Sequence, residues 1–136
     1  MTFSLLALLT EQSPVISNES LADELKAYFE NEEDFSLKFE RLPFAKTDTL
    51  ALRWGNWLMR VAYEEGSRIQ DESAQIQEIL GKRSPRELSG IDRRVRVVFA
   101  DDNDREYTNQ IVDMMQFLQD IEGSIVFDPQ KNDLME

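Results

Sequence analysis

The chain has 136 residues, with 27 acidic side chains against 15 basic ones, a formal net charge of -12 and a pI near 4.4. With 41% hydrophobic and 10% aromatic residues it has apolar material for one packed core, a single domain over 1–136, and is unlike a disordered acidic tail. It contains no cysteine and no histidine, which excludes disulfide frameworks, thiolate nucleophiles, Cys/His zinc sites and every scheme in which imidazole carries the proton.

The first apolar run, Met1 to Leu9, has no basic residue ahead of it and is followed by Glu11 where a signal-peptide cleavage site would need small residues. It is expected to be a buried strand of a cytoplasmic protein, because no stretch approaches the roughly 18 apolar residues of a membrane span. Ser13-Pro14 marks a turn, and Ser17 or Asn18 can cap a helix with Leu21, Leu25 and Phe29 on one face. That helix should stop at Glu30-Asn31-Glu32-Glu33-Asp34, where carboxylates oppose the helix dipole. Phe35, Leu37 and Phe39 alternate with polar residues as a half-buried strand closed by Pro43.

Leu50, Leu52 and Trp54, then Gly55-Asn56, then Trp57, Met59 and Val61 predict a β-hairpin ending at Glu64-Glu65-Gly66. Trp54, Leu58 and Val61 also fit a helical period. The hairpin is preferred because glycine and asparagine inside a helix each cost stability. Ile69, Ile76, Ile79 and Leu80 mark a second helix, best defined from Asp71 to Leu80, with Gly81 as its stop. Lys82 to Asp92, with Pro85 and Gly90, reads as an exposed, mobile loop. Val95, Val97, Val98 and Phe99 form a strand. Asp102 or Asp104 can then cap a third helix with the face Tyr107, Ile111, Met114 or Met115, Leu118 and Ile121, ending at Gly123. A last strand, Ser124 to Phe127, stops at Asp128-Pro129.

The order β-α-β-β-β-α-β-α-β defines an α+β domain, with a mainly antiparallel or mixed sheet of about six strands and three helices packed on it.

The carboxylates of Asp101, Asp102, Asp104 and Glu106 form the densest acidic group. Hard cations take converging oxygen ligands, but the spacing does not fit a calcium loop, whose twelfth position here is Val112. A helix cap with first-turn acids accounts for the group more simply. Glycosidase chemistry needs one protonated and one ionised carboxylate, and nothing in the spacing selects such a pair. Serine has no histidine base, and five glycines form no phosphate loop. No catalytic residue, metal ligand or cofactor is therefore expected.

Lys82, Arg83, Arg86, Arg93, Arg94 and Arg96 against Glu87 and Asp92 give one segment a balance of about +4, leaving about -16 on the rest. The segment reads either as a phosphate or nucleic-acid contact or, more simply, as a partner for acidic clusters whose repulsion it relieves. Trp54 and Trp57 flank the hairpin turn and read as core residues, with an exposed anchor alongside Arg53, Asn56 and Arg60 as the alternative.

An acidic field favours basic partners and repels nucleic acid and anionic membrane. The N-terminal apolar strand, the capped helix, the Trp strand followed by Glu64-Glu65-Gly66, the helix opening with Glu72-Ser73, the Asp-rich loop and helix, and the closing Gly123-Ser124-Ile125-Val126-Phe127-Asp128-Pro129 together resemble small bacterial immunity-type proteins associated with polymorphic or type VI secretion toxins. The resemblance covers most of the chain. It implies neutralisation of a toxin by one-to-one binding in the cytoplasm, and it assigns no functional residue.

The expected function is thus that of a non-catalytic acidic binding protein, an immunity-type inhibitor of a basic protein partner. Its expected contact surface comprises Glu30, Glu32, Glu33 and Asp34 with Asp101, Asp102, Asp104 and Glu106. A DNA mimic occupying the DNA site of a nucleic-acid-binding protein is the first alternative. A carboxylate-based metal protein or hydrolase is the second.

Overall fold

In the computed structural model, the described residues are 3–41, 43–44 and 48–135; the first two residues of the N-terminal run lie outside them. The elements in chain order are β1 (Phe3–Leu8), α1 (Asn18–Phe29), β2 (Phe35–Glu40), β3 (Thr49–Trp54), β4 (Trp57–Glu65), α2 (Ser67–Leu80), a 3-10 turn (Gly81–Arg83), β5 (Arg93–Phe99), α3 (Thr108–Asp120), β6 (Ile125–Asp128) and β7 (Asp133–Leu134). The domain is α+β, with three helices on one antiparallel sheet of seven strands in the order β2-β3-β4-β5-β1-β6-β7.

The N-terminal strand lies inside the sheet, pairing with β5 on one side and β6 on the other. Its continuous apolar character follows from that place, since both of its faces are covered. Leu5 and Ala7 belong to the larger core, and Leu8 to a second, smaller one.

Alternation along the strands divides the two faces of the sheet. Leu50, Leu52, Trp54, Trp57, Met59, Val61, Val95, Val97 and Phe99 face α1 and α3, which contribute Leu21, Leu25, Phe29, Met114 and Leu118. On the opposite face Leu8 and Phe127 meet Ile76 and Leu80 of α2. Each fully buried large apolar side chain in these clusters stabilises the fold by roughly 1.5–3 kcal/mol.

Local chemistry fixes the ends. Ser17 caps α1 through a reciprocal box, its Oγ accepting from Ser20 N at 3.1 Å while Ser20 Oγ accepts from Ser17 N at 2.9 Å. Asn18, the other capping candidate, instead donates to the Asp48 carbonyl and accepts from Tyr63 N, tying the helix start to the sheet. The hairpin is as expected, with Trp54 opposite Trp57. Gly55 has φ 59° at the first of the two turn positions, where such a loop requires glycine.

The sheet, expected to have about six strands, has seven, the last being Asp133–Leu134, which returns against β6 and is too short to show alternation. Three expectations need correction. Helix α2 opens at Ser67 and not at Glu72-Ser73, with Ile69, one of its expected apolar positions, fully buried in its first turn. Helix α3 begins at Thr108 with neither aspartate as its cap. The Lys82 to Asp92 segment is exposed at most positions but pinned by Leu88 and Ile91, which are buried in the smaller core. Two single apolar residues carry no period, so the sequence pattern gave no sign of this anchoring.

Candidate protein-binding surface

The site is built on an aromatic row. Phe29 at the end of α1 meets Trp54 edge-on at 5.0 Å between ring centroids, Trp54 lies 5.7 Å from Trp57, and Trp57 stacks on Tyr107 at 4.7 Å with the planes 6° apart. Phe35 joins Trp54 at 5.0 Å. Trp57 Nε1 donates to the Ala100 carbonyl at 3.1 Å. Trp54 and Trp57 are 3% and 5% exposed, so both tryptophans are core residues and not surface anchors. The row runs from the end of α1, across the hairpin tip, to the approach to α3. It fixes the loops at both ends by aromatic packing worth about 0.5–1.5 kcal/mol per pair beyond area burial.

Those loops are the two acidic segments. Residues 30–34 leave α1 and enter β2 beside the hairpin turn, where Gly55 N approaches the Asp34 carbonyl at 3.5 Å. Asp34 has φ 60°, a left-handed conformation that aspartate tolerates better than most residues. Residues 101–106 leave β5 beside the same turn. Gly55, Asn56, Trp57, Ala100, Asp101 to Asp104, Glu106 and Tyr107 line a shallow depression of about 640 Å³ there. The Gln110 side chain of α3 donates to Glu32 Oε1 at 2.8 Å and ties the first loop to that helix. Segments about 70 positions apart in sequence therefore both adjoin the hairpin turn.

The eight expected residues thus belong to two loops beside one turn, and they differ in role. Glu30, Glu33, Asp34, Asp101, Asp104 and Glu106 are exposed, while Glu32 and Asp102 are half-buried. Asp102 is structural. Its two carboxylate oxygens accept from Glu106 N at 2.9 Å and Tyr107 N at 3.0 Å, closing the loop one turn ahead of α3. The acids thus stand before the helix and not in its first turn, which has none.

Arginine pairing offsets several carboxylates away from the hairpin end. Arg41 meets Asp48; Arg53 and Arg60 meet Glu40; Arg83 meets Asp133; Arg86 meets Glu11. Under α2, Arg94 bridges Glu64 at 2.9 Å and Glu72 at 3.0 Å, with Arg68 and Arg96 completing a network. Arg93 donates to the carbonyls of Thr10 and Pro14. Among the described residues the basic segment offsets Glu11, Glu64, Glu72 and Asp133, which lie away from the two acidic loops. Among the described residues, the other seven carboxylates of these loops besides Asp101 are in no ion pair. Arg105 is the one basic residue within these two loops.

Pairing also moves protonation. The Arg53 hydrogen bond, with Arg60 beside it, holds the Glu40 carboxyl below its ordinary range. The Arg86 hydrogen bond does the same for Glu11.

Among the described residues no group of three or more acidic side chains is arranged to hold a metal ion, so the metal alternative lacks a converged donor set. No helix of the described residues is long and apolar enough to cross a membrane. Comparison with known proteins gives no match to a family model, a curated protein or a solved structure.

Proposed function

We propose that this chain is a non-catalytic binding protein whose acidic hairpin end engages a basic protein partner, an immunity-type inhibitor acting in the cytoplasm. The observation that carries this reading is that two separate acidic loops lie beside one hairpin turn, while arginines pair with carboxylates elsewhere. A concentrated patch of one sign steers a partner of opposite sign, raising association rates about 10- to 1,000-fold at low salt. The rigid aromatic row beneath it lowers the ordering cost of binding, because the loops are already held. The layout resemblance to immunity-type proteins points to the same class of role, direct occlusion of another protein's working surface.

The test uses charge reversal at positions without a structural hydrogen bond. Glu32 and Asp102 hold the loops, so the variant is Glu30→Lys, Glu33→Lys, Asp104→Lys and Glu106→Lys. Each chain is immobilised and used to capture proteins from cells of the native host, with bound proteins identified by mass. The proposal expects a basic protein retained by the natural chain in low salt and lost from the variant. Retention of the same proteins by both would reject it, and release of the captured protein by duplex DNA would favour the DNA-mimic alternative.

A further inference from the structure

Away from the hairpin end, α1 and α3 lie side by side and leave a groove of about 630 Å³ along their seam, within the roughly 300–1,000 Å³ range of ligand-sized clefts. Its walls are apolar, with Ile16, Ala27, Phe117 and Ile121 along it. Val15 stands at its lip 95% exposed, and Tyr28 is 44% exposed. Single exposed apolar residues are ordinary, whereas a continuous apolar cleft is not. Tyr28 is held in place, its hydroxyl donating to the Asp113 carbonyl at 3.2 Å and its ring packing edge-on against Phe117 at 5.4 Å.

The polar groups along the groove share one sign. Glu24, Asp120 and Glu122 line it together with Ser20, and among the described residues no basic side chain does. A second copy would bring these carboxylates against themselves on a chain of net charge -12. An uncharged ligand would leave them unanswered. We infer that the α1–α3 groove receives an amphipathic, basic helix of a partner protein, whose apolar stripe fills the seam while its lysines or arginines meet Glu24, Asp120 and Glu122. A helix laid along two neighbouring helices packs by interleaved side-chain ridges, and apolar residues at i, i+3, i+4 and i+7 suit such a seam. The inference rests on the proposal of a basic partner, but not on the hairpin end as the seat of binding.

The experiment titrates the full chain with a synthetic 15-residue leucine–lysine peptide carrying leucines at that helical spacing, followed by backbone amide NMR. Two controls keep the length: the same residues scrambled, and a leucine–glutamine version without cations. The expected result is saturable shifts centred on Val15, Ala27, Tyr28 and Ile121, with both controls at least about tenfold weaker. Ala27→Lys, at an exposed helical position that tolerates lysine, should weaken the peptide by about tenfold or more while leaving the thermal melt in place. Glu24→Lys with Glu122→Lys should do the same.

Equal binding of the scrambled peptide, or no shift at these residues, would overturn the groove. Equal binding of the leucine–glutamine peptide would assign it to an apolar ligand, and a dimer abolished by Ala27→Lys would assign it to a second copy, each overturning the inference. Shifts confined to Glu33, Asp104 and Glu106 would remove the groove and leave the hairpin-end proposal standing. Groove binding that persists, alongside a captured partner indifferent to the hairpin-end reversals, would do the opposite.

Discussion

Replacing Arg94 with methionine tests how the arginine network works. The Arg94 side chain is 4% exposed, and it reaches Glu64, itself 14% exposed, at 2.9 Å and Glu72 at 3.0 Å. Removing one partner of a buried pair costs about 3–5 kcal/mol, because the other is left desolvated without compensation. Here compensation is partial: Glu64 keeps Arg68 and Arg96, each at 3.5 Å, and Glu72 keeps Arg68 at 2.6 Å. The expected loss is therefore about 3 kcal/mol, the low end of the range. For a domain of this length that corresponds to a fall of roughly 10 °C in Tm.

The same network predicts recovery. Arg94 Nη1 is buried and has no hydrogen-bond partner, so the natural arrangement already carries an unmet donor. Apolar replacement of both members of such a pair is often close to neutral. Arg94→Met combined with Glu64→Leu should therefore regain at least about half of the single-variant loss, read as a coupling energy from urea unfolding of the four chains. A single-variant loss under about 1 kcal/mol, or a double variant less stable than Arg94→Met alone, would refute the reasoning.

Gly123→Ala should destabilise more than Gly81→Ala, since both glycines have positive φ but only the first is enclosed. A Cβ at Gly123 would lie 2.6 Å from Thr10 Oγ1 and 3.1 Å from the Gln12 carbonyl carbon, whereas at Gly81 nothing lies within 4 Å. Urea unfolding should show about 1–3 kcal/mol for Gly81→Ala, whose φ 53° and ψ -122° lie in a sparsely populated region, and a larger loss for Gly123→Ala. The Glu40 carboxyl titrates below its ordinary 4.5 in the folded chain. The unfolded chain therefore binds more protons as pH falls through that region, and the stability that Glu40 contributes is present above 4.5 and lost below it. Glu40→Gln should flatten the acid limb of a stability–pH curve. At the alkaline end, burial and then the hydrogen bond to Glu65 push the Tyr63 phenol up to about 12 from 10.0. Its contribution is full below pH 10 and lost as pH rises through 12, so Tyr63→Phe should reduce the stability loss in that window, measured by denaturant unfolding at fixed pH.

Much of the fold was legible because its signals are local. Gly55-Asn56 between two alternating apolar runs specifies a hairpin, and Ser17 with Leu21, Leu25 and Phe29 specifies a capped amphipathic helix. What stayed hidden depends on distant partners. The central place of β1 arises from pairing with β5 and β6, far along the chain, and β7 exists only because Asn132, at φ 54°, turns two residues back onto β6. At the site, the acidic residues stand out by composition, but their placement beside one turn depends on strand order and on a row of rings from separate elements. Tyr107 was expected to lie on the buried face of a helix, and its stacking on Trp57 is invisible to periodicity. The α1–α3 groove left no mark either, since Val15 beside Pro14 has no period to betray its exposure.

The most direct test of the central claim is the association rate of the captured basic partner with the natural chain and with the Glu30, Glu33, Asp104 and Glu106 lysine variant, measured by stopped flow across ionic strength. The account predicts a rate for the natural chain that falls steeply with salt, and a variant about tenfold or more slower at low salt with a nearly flat dependence. Superimposable salt dependences for the two chains would contradict it.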